Sequence, residues 1–80
     1  MGTQEKFGDR LNYLRLKEDK SLSDIASLLA LTDDDIARLE SGALDVSLDY
    51  LVKLAAYFQV STDFLLGLTD LPFLEHGASD

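Results

Sequence analysis

Two helix-start signals, at Ser21 and Thr32, stand eleven positions apart, and that spacing constrains the fold more than any other feature of the chain. Ser21 is followed three residues later by Asp24, and Thr32 by Asp35. In each pair the hydroxyl can accept from the backbone N–H of the third helical residue while the carboxylate accepts from the cap's own N–H. Two donors that a helix start leaves without partners are satisfied together. After the first cap Ile25, Ala26 and Leu29 fall on one helical face, and after the second Ile36 and Leu39 do the same. Gly42 supplies a stop. Residues 21–42 therefore predict a helix of about two turns, a connection of roughly three residues and a second short helix, both turning apolar sides to one core.

The flanking segments carry the same periodicity. Phe7, Leu11 and Leu14 step by four and three along a first helix, with Tyr13 and Leu16 off that stripe. Arg10, Arg15, Lys17 and Lys20, four of the seven basic residues, lie in or just after it and are expected to form a solvated face with some ion pairs. Ser47 caps a further helix with Leu48, Leu51, Leu54, Ala55 and Phe58 as its apolar stripe, flanked by Tyr50 and Tyr57. Ser61 caps a short last helix with Asp63 in its first turn, Phe64 and Leu65 inward, and Gly67 at its end. The expected fold is all-α, with helices near 5–19, 22–29, 33–41, 48–58 and 62–66. Its expected core is Phe7, Leu11, Leu14, Ile25, Leu29, Ile36, Leu39, Leu51, Leu54, Phe58 and Leu65. One domain, 5–70, is followed by a short apolar tail, 71–80. The stretch Leu68 to Leu74, around the lone Pro72, is expected to pack on the domain or across a two-fold interface.

Composition narrows the chemistry. The chain has no cysteine, which removes disulfides, thiolate catalysis and most structural zinc sites, and fits a reducing compartment. No apolar run is long enough to span a bilayer and the N-terminus lacks the pattern of a secretion signal, so no membrane partner is expected and the cytoplasm is the expected location. Asp33, Asp34 and Asp35 are the densest cluster of candidate ligands. Consecutive helical residues diverge by about 100° each and cannot wrap one cation, whereas carboxylates in a first turn face the positive end of the helix dipole. No metal and no cofactor is expected. Carboxylates are plentiful, but no nucleophile or phosphate loop accompanies them and the single His76 lies in the tail, so no catalytic residues and no enzyme are expected.

The arrangement at 21–42 has the geometry of a helix-turn-helix. From about Phe7 to Asp70 the chain resembles the Cro and phage-repressor type of that domain, often called the XRE type, which has a five-helix, lambda-repressor-like fold. The resemblance is carried by Leu14-Arg15, Ile25-Ala26, Leu31-Thr32, the string from Ile36 to Gly42, and the string from Val60 to Asp70. It implies that Arg15 and Glu40 form a structural ion pair between the first and third helices. It assigns Leu22, Thr32, Asp33, Asp34, Asp35, Arg38 and Asp45 to the DNA-facing surface. At that surface Leu22 stands where a phosphate-reaching glutamine is usual, and Ala43-Leu44-Asp45-Val46 where basic residues and a proline are usual. Ala30 replaces a turn glycine, at roughly 1 kcal/mol of strain if the left-handed backbone is kept. Asp19 stands at another turn-glycine position, and Asp tolerates that backbone better.

Two functions follow as expectations. The first is a repressor-like transcriptional regulator, a homodimer that places its third helix in the major groove of double-stranded DNA with an unusually acidic recognition helix. The second is an interaction module of the same fold whose acidic face binds a basic protein surface. Fifteen acidic against seven basic residues, a formal charge of −8, oppose the first, because Lys and Arg contacts to phosphate supply most non-specific affinity.

Overall fold

Five helices and their connections make up residues 3–72, the part of the chain that the structure, a computed structural model, describes: α1 (Thr3–Lys17), α2 (Leu22–Leu29), α3 (Asp33–Ser41), α4 (Leu48–Phe58) and α5 (Thr62–Leu65). Ser21, Thr32, Ser47 and Ser61 sit in extended backbone before α2 to α5, and each side-chain oxygen accepts from the backbone N–H three residues on. At Ser21 and Thr32 the reciprocal bond from the cap N–H to Asp24 or Asp35 is also present, completing both capping boxes.

All five helices stop the same way. Beyond each, one residue takes a left-handed backbone: Asp19, Ala30, Gly42, Gln59 and Gly67, with φ between 58° and 84°. Nearby N–H groups turn back to the last carbonyls, as in Lys20 to Arg15 at 2.9 Å and Asp19 to Leu16 at 3.1 Å after α1. This closure ends α1 at Lys17, short of the expected residue 19. Three of the five left-handed residues are not glycine, so three helix ends carry strain that a glycine would lack.

The core is formed by Phe7, Leu11, Leu14, Ile25, Ala26, Leu29, Ile36, Leu39, Leu51, Leu54, Ala55, Phe64 and Leu65. Phe58 differs from expectation. It lies in the last turn of α4 and is only half-buried, its ring edge-on to Tyr57 at 5.0 Å and beside an open groove, whereas Phe64 of α5 is buried in the core. Tyr13 and Leu16 are exposed.

The crossing of α1 and α3 is close because of Gly8. A Cβ there would overlap the Glu40 carbonyl and come within 2.8 Å of the Leu39 oxygen. At the other end of the chain, Arg10 lies 4.3 Å over the Phe64 ring, donates to the Thr69 carbonyl at 3.1 Å and pairs with Asp70 at 2.7 Å. Ser61 N–H donates to the Pro72 carbonyl at 2.8 Å. These bonds hold residues 69–72 against α1 and the α4–α5 junction, with Leu68 and Leu71 exposed. Phe73, Leu74 and the rest of the expected tail lie outside the described residues.

Candidate nucleic-acid interface

α2 and α3 enclose a three-residue connection, Ala30, Leu31 and Thr32. Ala30 is left-handed, Leu31 N–H bonds the Ala26 carbonyl at 2.9 Å, and Leu31 is half-buried against the core. Thr32 then caps α3, receiving Asp35 N–H at 3.1 Å and giving its own N–H to the Asp35 carboxylate at 3.2 Å. Ser23 Oγ donates to Asp33 Oδ2 at 2.7 Å, a direct bond from α2 to the start of α3. Each contact restrains the angle between the two helices, so α3 is presented as one rigid unit with α2.

The inner face of α3 is clamped. Ile36 and Leu39 are fully buried. Glu40 receives Arg15 Nε at 2.6 Å, Arg15 Nη2 at 3.2 Å and Asn12 Nδ2 at 2.9 Å. Arg15 spends a further donor on the Lys20 carbonyl at 3.1 Å, just past the end of α1. Only 14% of the Arg15 side chain and 10% of the Glu40 side chain reach solvent, so the fork operates away from bulk water. The Glu40 hydrogen bond holds the Arg15 guanidinium above its ordinary pKa, outweighing the opposing effect of burial. Glu40 thus ties Asn12 and Arg15 of α1 to the C-terminal turn of α3.

The outer face is different. Asp33, Asp34, Ala37, Arg38 and Ser41 are exposed. Arg38 Nη2 lies 2.7 Å from Asp34 and Nη1 lies 3.8 Å from Asp35. The one cation of α3 is therefore engaged by carboxylates of the same helix. Its first turn already holds the three carboxylates at the positive end of the dipole, where they stabilise the helix. Ser41 Oγ donates to the Arg38 carbonyl, and Ala43 and Leu44 N–H reach the same oxygen at 2.8 and 3.2 Å.

Leu22 is half-buried on the core, where its side chain packs and offers no donor to a phosphate. Asp45 is exposed in the α3–α4 connection. The structure thus brings Thr32, Asp33, Asp34, Asp35 and Arg38 together at the start of α3, and Arg15 and Glu40 on its opposite side. Three contributors were not apparent from sequence reasoning: Gly8, Asn12 and Ser23. Gly8 left a signal, since a glycine inside a helical pattern marks a close backbone approach. Asn12 and Ser23 are polar residues of exposed-looking segments and left none.

Among the described residues no group of His, Asp or Glu could hold a metal ion, and no helix is long and apolar enough to cross a membrane. The sequence profile of a family described as Helix-turn-helix matches residues 11–65. The chain is similar in structure to the restriction-modification controller protein C.AhdI from Aeromonas hydrophila, with 32% sequence identity and a TM-score of 0.69 over 78% of this chain and 94% of that one. No curated protein sequence matches it.

Proposed function

Because the chain belongs to the Cro and phage-repressor (XRE) type of helix-turn-helix family, we propose that it is a DNA-binding transcription regulator that acts as a repressor-like homodimer. The observation that carries this reading is α3 itself, clamped on its inner side by Arg15 and Glu40 and open along its outer side. A helix so held can enter a major groove without rearranging, and its first turn presents the side chains that would meet base edges. The likeness to a controller protein supports a role in gene control rather than in catalysis.

The chemistry of that turn sets an unusual specificity. Carboxylates accept hydrogen bonds, so Asp33 or Asp34 can pair only with the amino groups of cytosine or adenine, while Arg38 suits guanine. Binding then depends on base contacts more than on phosphate attraction, and non-specific affinity is low. Selection of duplexes from a random pool tests the proposal. Enrichment of a two-fold-symmetric sequence, with half-sites about 10 base pairs apart, is the expected result. A pool that stays random after repeated rounds would reject it.

A second reading is favoured by the Arg38 geometry. With its guanidinium already held by Asp34 and Asp35, the outer face of α3 is net negative and suits a basic protein surface. In that case the chain binds no duplex, selected or random, at any salt concentration.

A further inference from the structure

The outward half of α4 carries an apolar stripe that none of the described residues covers. Leu48 is 75% exposed, Val52 51% exposed, and Ala56 is also exposed. Spaced four apart, these three lie in one row along the helix. Asp49 and Lys53 run beside the row and pair with each other at 3.4 Å. On the opposite side Leu51, Leu54 and Ala55 enter the core, so the row points away from the molecule.

We infer that this row is where a second copy of the chain packs, α4 against α4 in antiparallel sense with Val52 on the two-fold axis. The inference rests on the homodimer reading above and names its surface. Two properties of the row single out the same chain as occupant. First, it is self-complementary: about an axis at Val52, large Leu48 meets small Ala56 of the partner, and the reverse contact repeats on the other side. Second, the two-fold keeps each flank on its own side, so Asp49 of one copy stands within about two residues' rise of Lys53 of the other, roughly 3 Å along the axis. Each carboxylate can then serve a lysine of either copy.

Charge limits where such a chain can associate. At −8 overall two copies repel, and contact is least unfavourable on a surface whose own charges cancel. Asp49 and Lys53 give α4 that surface, whereas the start of α3 carries three carboxylates to one arginine. The second copy also completes the DNA site, because one α3 spans a single half-site. One helix face is smaller than the roughly 800 Å² per partner of a standard interface, so the dimer is concentration-dependent.

The test uses the intact chain in sedimentation and in cysteine cross-linking. Wild type should pass from monomer to dimer as concentration rises. Val52→Asp, a surface change that leaves the helical circular dichroism intact, should lower the association constant by about tenfold or more, since it places two unpaired carboxylates on the axis. In a chain without cysteine, Val52→Cys should oxidise to a covalent dimer faster than Tyr13→Cys, which is exposed on α1. A wild type that remains monomeric, an unchanged association constant in Val52→Asp, or equal cross-linking of the two cysteine variants would overturn the inference. Dimerisation through Val52 without any duplex binding would leave this interface standing and remove the DNA-binding reading alone.

Discussion

The two faces of α3 are built from neighbouring residues of one nine-residue helix, yet they obey different physics. On the inner face Ile36 and Leu39 are fully buried and Glu40 takes three hydrogen bonds from α1 residues in a nearly dry setting. There each interaction is strong and removal of one partner leaves another stranded. On the outer face Asp34 and Arg38 are more than half exposed, and their pairing at 2.7 Å is as short as those inside but screened by water. Distance alone therefore says little about what a contact contributes. Burial decides that the inner face determines stability, while the outer face is free to determine what the protein binds.

The largest effect should come from breaking the clamp. Glu40→Ala leaves Arg15 largely buried without its partner and should lower stability by about 3–5 kcal/mol in urea denaturation. Asp34→Ala, which breaks the equally short outer pair, should change stability by only roughly 0.3–0.5 kcal/mol beyond its helix-dipole contribution. Equal losses in the two variants would dissolve the comparison. Next, Ile36→Ala and Leu51→Ala should each cost about 2–5 kcal/mol, since both side chains are enclosed in the core.

Those core positions were legible in the sequence, and it is instructive why. The caps at Ser21, Thr32, Ser47 and Ser61 join atoms three residues apart, and the apolar stripes follow helical periodicity, so both depend on local sequence. The ends of α2 and α3 matched for this reason. What escaped were contacts set by how helices cross: Gly8 under the Glu40 carbonyl, Asn12 on Glu40, Ser23 on Asp33, and Arg10 over Phe64. Gly8 alone left a local mark, as a glycine within a helical pattern, and even that does not say which residues the crossing brings together. Phe58 marks the same boundary, since its place in the apolar stripe was clear but its half-exposure depends on where the α4–α5 junction turns.

A smaller effect concerns the turn that joins α2 and α3. Ala30 has φ 58°, a conformation that glycine adopts without strain, so Ala30→Gly should raise stability by about 1 kcal/mol or less and shift the thermal midpoint upward. A decrease would mean that Ala30 makes contacts that outweigh its backbone strain. The smallest effect is a pH dependence at the first capping box. Hydrogen bonds from the Ser21 backbone and hydroxyl hold the Asp24 carboxyl below its ordinary pKa. Its folded pKa being depressed, its contribution is fully present above the ordinary Asp range and is lost as pH falls through the lowered value. Titration of the side-chain carbon by NMR should give Asp24 a midpoint below that of a free Asp, and Ser21→Ala should move it upward.

Substituting Asp33→Gln/Asp34→Gln separates what the outer face of α3 does for binding from what it does for the fold. Asp35 is spared because it completes the Thr32 capping box. The variant's affinity for a random duplex should be measured by fluorescence anisotropy over a range of salt concentrations, beside its thermal midpoint. The prediction is tighter binding than wild type at low salt, a gain that shrinks as salt screens the charges, and a midpoint lowered only slightly, by loss of dipole stabilisation and weakening of the exposed Ser23–Asp33 bond. An unfolded variant, or duplex affinity no higher than that of wild type at low salt, would contradict it.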